Sequence, residues 1–271
     1  MSGLQCPNLG RRPPKTVKHK DKFMSDIALG GKNFYGAAVG ILMLETQFPR
    51  VHGDIGNGNT WPFPVMMRCV KGASLDLVVN KRADGLLDAF VEEGLELVRL
   101  GADGITTSCG FMSLYQQELA DRLPVPVAAS SLLQVSLVNK LLGQGKRTGV
   151  ITVKKTSLSP DHLKAVGVPL DTPIMGAENG VEFTRAVLGD EEQLNTALAT
   201  QDLIEAGLTL KKENPDVGAI VLECTNMAPY AAAIRQATNL PVFSIYSFIQ
   251  WFQAGLLPRA FDRQVMDPRA L

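Results

Sequence analysis

Two cysteines in matching local settings are the residues of this sequence best suited to chemistry. The stretches "ITTSCGFMSLY" (105–115) and "IVLECTNMAPY" (220–230) align without gaps, and the alignment places Cys109 on Cys224. Identities at cysteine, methionine and tyrosine are not generic choices for a protein core. We therefore interpret the stretches as two copies of one unit, matched at Ile105 and Ile220, Met112 and Met227, and Tyr115 and Tyr230.

Each cysteine follows an apolar run typical of a buried strand and precedes an expected helix. The free N–H groups and dipole of a helix N-terminus stabilise a thiolate and lower the pKa of a cysteine from about 8.5. Two thiols that reach one cleft from opposite sides suit proton exchange at a carbon, where one removes a proton and the other delivers one. The following residues, Gly110-Phe111 and Thr225-Asn226, are candidates to hold a carboxylate and the charge that develops beside it.

The elements that must position these cysteines alternate between strand and helix patterns. We predict an α/β fold with two similar parallel-sheet half-domains, related by a pseudo-twofold axis, and an active site in the cleft between them. The predicted organisation is a loosely ordered basic extension over 1–34, a first half over 35–145 with Cys109, and a second half over 146–271 with Cys224. The last helix of the second half is able to cross back to the first.

Three local expectations follow from the patterns. A long amphipathic helix is predicted to begin at the acidic residues 190–192, where the helix dipole favours negative charge. Strand alternation predicts that Glu223 points away from the site, in a structural role. The Gly- and Pro-rich segment 45–64 is interpreted as a loop that covers the substrate.

Composition narrows the functional classes. The chain has 271 residues, 45% of them hydrophobic, and a formal net charge of zero, so we expect a globular protein without nucleic-acid or membrane partners. The basic N-terminus lacks the apolar stretch of a secretory signal, and we expect a cytoplasmic protein. No cysteine or histidine spacing fits a metal site or a disulfide framework. Cys69 is read as a strand residue and Cys6 as a tail residue.

From about residue 35 to 260 the sequence resembles the aspartate/glutamate/hydantoin racemase superfamily. The resemblance rests on "TTSCGF", "LECTNM", the duplicated halves and the segment "LETQFPRVHGDIGNGNTWPFPV". It implies catalysis without a cofactor, a homodimer, and Cys109 and Cys224 as the acid/base pair. The substrate carboxylate contacts that it implies come from Thr46, Gly110, Phe111, Thr156, Thr225 and Asn226.

The sequence also departs from that pattern. Glutamate racemases follow their cysteines with Asn-Thr and Thr-His, whereas this chain has Gly110-Phe111 and Thr225-Asn226. Phe111, with Trp61 and Phe63 from the long loop, is expected to make the pocket more apolar. The resemblance favours a racemase or epimerase that acts on a small carboxylate, an amino acid or a hydantoin.

Three alternatives stay open at this point. A cis-trans isomerase or a decarboxylase of the same fold would use the same cleft, with a cysteine as nucleophile or as proton donor. A small-molecule binding module would keep the cleft without the chemistry. Facing thiols are also capable of oxidation to a disulfide, which would make the site redox-sensitive.

Overall fold

The structure is a computed structural model, and it describes residues 30–260. The expected basic extension lies mostly outside this range, as does Cys6. Within the described residues, eight strands form: β1 Val39–Met43, β2 Val65–Cys69, β3 Gly104–Thr107, β4 Val127–Ala128, β5 Arg147–Thr152, β6 Ile174–Gly176, β7 Val217–Leu222 and β8 Val242–Phe243. Cys69 is the last residue of β2, as predicted.

The strands form two four-stranded parallel sheets that share one topology. The order is β2-β1-β3-β4 in the first sheet and β6-β5-β7-β8 in the second, so equivalent strands take equivalent places. The central strands β1 and β5 are buried over almost their whole length, which agrees with their continuous apolar sequences. The predicted α/β fold with two similar sheets is confirmed.

The register of the sheets supports the ungapped alignment of the two halves. Ile105 pairs with Val127 in the first sheet, and Ile220 pairs with Val242 in the second. Beyond the strand ends, the backbone N–H of Ser108 donates to the carbonyl oxygen of Leu42. The backbone N–H of Glu223 donates to the carbonyl oxygen of Ile151 in the same way. Ser108 and Glu223 therefore occupy equivalent positions in the two halves.

Eight α-helices surround the sheets within residues 30–260: α1 Leu87–Leu100, α2 Gln116–Arg122, α3 Val135–Leu141, α4 Pro160–Ala165, α5 Phe183–Leu188, α6 Thr196–Glu213, α7 Ala231–Thr238 and α8 Ile245–Leu256. The apolar spacing and terminal glycine that predicted α1 are matched by its buried face and by Gly101 at its end, which adopts a φ of 127°. α4 begins with the predicted Ser159 cap and Pro160.

Three features of the helices differ from the prediction. α6 begins at Thr196 rather than at residues 190–192, because the Asn195 side chain accepts hydrogen bonds from the backbone N–H groups of Ala197 and Leu198 and so caps the helix there. The short helix α5 was not predicted. Both cysteines precede a 3-10 segment, Gly110–Tyr115 or Thr225–Tyr230, before the α-helix begins.

The last helix packs against the first sheet. At Gly104 in β3, an added Cβ would meet Leu256 and Phe252 of α8 at 2.6 and 2.7 Å, so glycine is needed for this close approach. Ile245 and Ile249 of α8 also share a buried cluster with Val39 and Ile41 of β1. Both sheets belong to one compact unit that starts at Lys32, and the boundaries at 35–145 and 146–271 stay predictions.

None of the helices described between residues 30 and 260 is both long enough and apolar enough to cross a membrane.

Candidate active site

One cavity at the C-terminal ends of the central strands collects most of the predicted site residues. The cavity is small and partly open to solvent. Cys109 and Cys224 both line it, and both are buried, at 7% and 8% exposure. The predicted substrate contacts that also line it are Thr46, Gly110, Phe111, Thr225 and Asn226.

Three other predicted residues lie elsewhere. Thr156 sits on an exposed 3-10 turn and is not among the described residues that line this cavity, so its substrate contact stays a prediction. Trp61 and Phe63 stack on each other with ring centroids 5.7 Å apart, and Trp61 also stacks on Tyr246 of α8. In the described part of the chain neither aromatic residue lines the cavity. The expectation that they make the pocket more apolar is not met, because they pack the long loop onto α8.

A polar network joins the long loop to the second cysteine. Arg50 donates to the hydroxyl of Thr46 at 2.7 Å and to a carboxylate oxygen of Asp54 at 3.1 Å. The other oxygen of Asp54 accepts from the side-chain amide of Asn226 at 2.7 Å.

The oxygen of that amide accepts from the thiol of Cys224 at 3.5 Å, so the chain of contacts runs from Arg50 to Cys224. Arg50 itself lines the cavity, with its guanidinium 4.2 Å from the centre of the Phe48 ring. A guanidinium held in this way is suited to binding a carboxylate.

Much of the remaining cavity wall is apolar. Phe111 is held edge-on against the His162 ring, with the centroids 5.4 Å apart. Burial lowers the pKa of His162 to about 4, so the imidazole is neutral near pH 7. The aliphatic side chains that line the wall are Leu44, Leu75, Val79, Val153, Val187 and Leu188.

Seven curated proteins match the chain, and dimethylsulfoniopropionate lyases are among them. The lyase of Durusdinium sp. clade D is 25% identical over 83% of this chain and 77% of its own length. Dimethylsulfoniopropionate lyases 6 and 3 of Emiliania huxleyi are 28% and 29% identical over 81% of this chain. The chain spans only 60% of the length of those two relatives. A comparison with protein-family models finds no match.

Solved structures with the same fold are also enzymes. Allantoin racemase from Klebsiella pneumoniae superposes with a TM-score of 0.54 at 16% identity, over 85% of this chain and 97% of that one. Unliganded arylmalonate decarboxylase superposes with a TM-score of 0.52 at 14% identity, over 83% of this chain and 94% of that one. The aspartate racemase of Picrophilus torridus superposes with a TM-score of 0.50 at 12% identity, over 84% of this chain and 97% of that one.

The chain has the fold of the aspartate/glutamate/hydantoin racemase superfamily. The resemblance seen in the sequence is thereby confirmed at the level of the fold. The relatives by sequence are lyases, and the relatives by fold are racemases and a decarboxylase. The comparisons therefore indicate an enzyme, without singling out an isomerase.

The ionisation of the cysteines differs from the prediction for a helix N-terminus. Burial, followed by the negative charge of Glu223, raises the pKa of Cys109 to about 12, and the same two causes raise the pKa of Cys224 well above its usual value. The backbone N–H groups of Phe111 and Met112 do lower the pKa of Cys109, as expected at the start of a helical segment, but burial outweighs them. Both cysteines are therefore thiols near pH 7.

Glu223 lines the cavity, which corrects the prediction that it points away. The residue follows the last residue of β7, Leu222, so strand alternation no longer determines its direction. It is completely buried, and burial raises the pKa of its carboxyl group to about 7. One carboxyl oxygen accepts from the Thr152 hydroxyl at 2.7 Å. The other has no hydrogen-bond partner among residues 30–260.

The Glu223 carboxyl lies against Gly110, the residue after the first cysteine. A Cβ placed on Gly110 would be 2.1 Å from the unpartnered carboxyl oxygen and 2.3 Å from the Glu223 carbonyl oxygen. The carboxyl thus occupies the space that a side chain at residue 110 would need. Gly110, predicted as a carboxylate-binding backbone, also makes room for a carboxyl of the protein itself.

Sequence reasoning missed Arg50 and Glu223 as cavity residues. Arg50 lies in a segment whose path a local pattern does not determine, although an arginine in a loop beside a small-acid site was an available signal. For metals, no group of three or more His, Cys, Asp or Glu side chains is placed to hold an ion anywhere in the described range 30–260.

Proposed function

We propose that this protein is a lyase for a small sulfonium carboxylate, with dimethylsulfoniopropionate as the first substrate to test. The observation that carries the proposal is the convergence of two buried thiols and one guanidinium on a single small cavity. The names of the relatives support the sulfonium substrate. Proton removal next to a carboxylate is the step that this arrangement suits.

The reaction is an elimination. Arg50 holds the carboxylate, and a cysteine, once deprotonated, removes a proton from the adjacent carbon. The C–H electron pair becomes the new double bond, and the bond from the next carbon to sulfur breaks with its electrons going to sulfur. The products are acrylate and dimethyl sulfide, and the proton stays on the cysteine. Dimethyl sulfide leaves as a neutral molecule, so it needs no proton from the protein.

The cavity fits the two ends of such a substrate. The guanidinium of Arg50 is held by Asp54 and Thr46, and its remaining N–H groups are donors for the carboxylate. The aliphatic wall and the Phe111 ring surround the remaining space and suit the methyl groups of a sulfonium. The small size of the cavity suits a small acid rather than a long-chain one.

The test is incubation of the purified chain with dimethylsulfoniopropionate. Headspace gas chromatography measures dimethyl sulfide, and proton NMR measures acrylate. The double variant Cys109→Ala/Cys224→Ala is expected to give no product above background. Cys69→Ser, which removes an exposed cysteine outside the cavity, is the matched control and is expected to retain full activity. Absence of dimethyl sulfide from the wild-type protein would reject this substrate.

Racemisation is the second candidate, favoured by the equivalent placement of the two cysteines at the ends of β3 and β7. One thiol on each face of a carbon is what inversion requires. Incubation in deuterated water with a panel of amino acids, hydantoins and 2-substituted acids distinguishes the reactions. A racemase exchanges the α-hydrogen for deuterium and loses optical activity, whereas a lyase gives an alkene.

A further inference from the structure

The cavity is lined by one cationic and one acidic side chain within residues 30–260, and only the cation has a partner. Arg50 donates to Asp54 and to Thr46. No ion pair joins Glu223 to a cation anywhere in the described part of the chain. A zwitterionic ligand would bring a carboxylate for Arg50 and a positive group for Glu223. The cavity thus has a complementary charge for each end of such a ligand.

The carboxyl of Glu223 is held in place, and one of its oxygens is left over. The Thr152 hydroxyl donates to one oxygen at 2.7 Å. The other lies beside Gly110, where an added Cβ would be 2.1 Å from it, and has no hydrogen-bond donor among the described residues. Burial of a carboxylate without a cation is unfavourable, and it raises the pKa of Glu223 to about 7. A cation that enters the cavity would offset this cost.

The surroundings of Glu223 favour a methylated cation over an ammonium group. The unpartnered oxygen is buried beside the Gly110 backbone, so it offers negative charge but little surface for a hydrogen bond. An ammonium group gives up hydrogen bonds to water that must be replaced when it is buried. A sulfonium or a quaternary ammonium has no N–H group to satisfy and presents methyl groups instead. Phe111 and the aliphatic side chains of the cavity wall suit those methyl groups.

We propose that Glu223 is the counter-ion for the positive group of the substrate, and that the cavity selects small carboxylates that carry a sulfonium or a quaternary ammonium. Arg50 binds the carboxylate and Glu223 attracts the cation, so both charges of one zwitterion are recognised. This assignment rests on the proposed function, which it extends from one compound to a class of compounds. Glu223 acts through its charge, as a specificity-determining residue, and takes no part in moving the substrate proton.

A bound cation also favours the proposed reaction. After burial, the negative charge of Glu223 is the largest cause that raises the pKa of Cys109 and of Cys224. A sulfonium beside the carboxylate offsets that charge and so lowers the pKa of both thiols. The reactive thiolate therefore forms more readily with this substrate bound than without it.

The experiment compares two ligands of nearly the same shape that differ in charge, 3-(trimethylammonio)propionate and 4,4-dimethylpentanoate. Isothermal titration calorimetry at pH 8 measures the Kd of each for the full chain. The wild-type protein should bind the cationic ligand more tightly, and in Glu223→Gln this preference should fall by about 10- to 100-fold. Glu205→Gln, which removes an exposed carboxyl outside the cavity, is the control and should keep the preference. Equal affinities in the wild-type protein, or a preference that survives in Glu223→Gln, would overturn the assignment.

A measurement on the wild-type protein alone guards against misfolding of the variant. Glu223 is mostly protonated at pH 6 and mostly ionised at pH 8, so the preference for the cationic ligand should weaken by up to about tenfold at pH 6. The two thiols and His162 keep their protonation states across this range, and Asp54 stays paired with Arg50. A preference of the same size at both pH values would count against Glu223 as the counter-ion.

Kinetics with dimethylsulfoniopropionate separate this assignment from the proposed function. Glu223→Gln should raise KM by about 10- to 100-fold, with the effect on KM rather than on kcat, because the positive charge leaves sulfur as the C–S bond breaks. If the wild-type protein releases no dimethyl sulfide, but its charge preference is lost in Glu223→Gln, the elimination is rejected and the counter-ion assignment stands. Release of dimethyl sulfide without any charge preference would support the elimination and reject the counter-ion.

Discussion

The two halves of the molecule contact each other at two equivalent places, which we call crossing points: residue 108 against residue 225, and residue 110 against residue 223. Different groups make the contact at each. At the first, the Thr225 hydroxyl donates to the Ser108 carbonyl oxygen at 2.6 Å. At the second, Gly110 contributes no side chain, and the carboxyl of Glu223 fills the space. The aligned strands make residue 108 equivalent to 223 and residue 110 equivalent to 225.

The difference separates a hydrogen-bonded contact from one that leaves a titratable group unpartnered within the described residues. The Thr225–Ser108 hydrogen bond satisfies a buried carbonyl and ties the halves together. The Gly110–Glu223 contact leaves a carboxyl oxygen without a partner within the described residues, in the wall of the cavity. The two halves share one backbone arrangement here, and only the second carries a titratable group at this position.

The largest expected effect concerns the cysteines themselves. Elimination needs one base, so Cys109→Ala and Cys224→Ala should lower kcat unequally, with a loss of about 10²- to 10⁴-fold for the base. Steady-state release of dimethyl sulfide measures kcat for both variants. Equal losses of that size, accompanied by α-deuteration, would instead indicate two-base racemisation.

The crossing points differ in their tolerance of a changed side chain. Gly110→Ala places a Cβ 2.1 Å from a Glu223 oxygen, so we expect a loss of about 1–3 kcal/mol in the free energy of unfolding. Thr225→Val removes the hydrogen bond to Ser108 and should cost about 1–2 kcal/mol. Urea denaturation measures both. A gain of stability from Gly110→Ala would contradict the wedged position of the carboxyl.

The equivalent residues Glu223 and Ser108 should differ in how stability depends on pH. The pKa of Glu223 rises from 4.5 to about 7 on folding, so its ionisation is disfavoured in the folded protein. The contribution of Glu223 to the free energy of unfolding is fully present below pH 4.5 and is lost as pH rises through about 7.

Glu223→Gln should therefore be more stable than wild type at pH 8, by on the order of 2 kcal/mol, with a smaller difference at pH 5. Ser108→Ala should show no such pH dependence, because its hydroxyl does not titrate in this range. Thermal unfolding of the three proteins at both pH values measures the effect. A Glu223→Gln difference that is the same at pH 5 and pH 8 would refute the buried, titrating carboxyl.

The smallest expected effects distinguish Thr46 from Thr156, two of the three threonines implied by the resemblance. Thr46 lines the cavity and binds Arg50, so Thr46→Val should raise KM several-fold. Thr156 lies on an exposed turn, so Thr156→Val should change KM by less than twofold. A raised KM in Thr156→Val would mean that this turn reaches the bound substrate, as the resemblance implies.

The sequence allowed much of the fold to be predicted, because the repeated apolar runs and the helix end signals are local. Cys109 and Cys224 were identifiable for the same reason, since each closely follows a buried strand. Glu223 was not, because alternation ends with the strand at Leu222. Arg50 depends on the path of a long loop, and the raised pKa values depend on burial created by distant segments.

The stack of Phe63, Trp61 and Tyr246 joins the long loop to α8. The same loop carries Arg50, so the stack fixes one end of a segment that reaches the cavity. Trp61 is buried and Trp251 is 64% exposed, and these are the two tryptophans of the chain. The protein therefore contains its own optical probe: acrylamide should quench Trp251 first, and the emission of Trp61 then reports whether the loop stays seated when ligand enters.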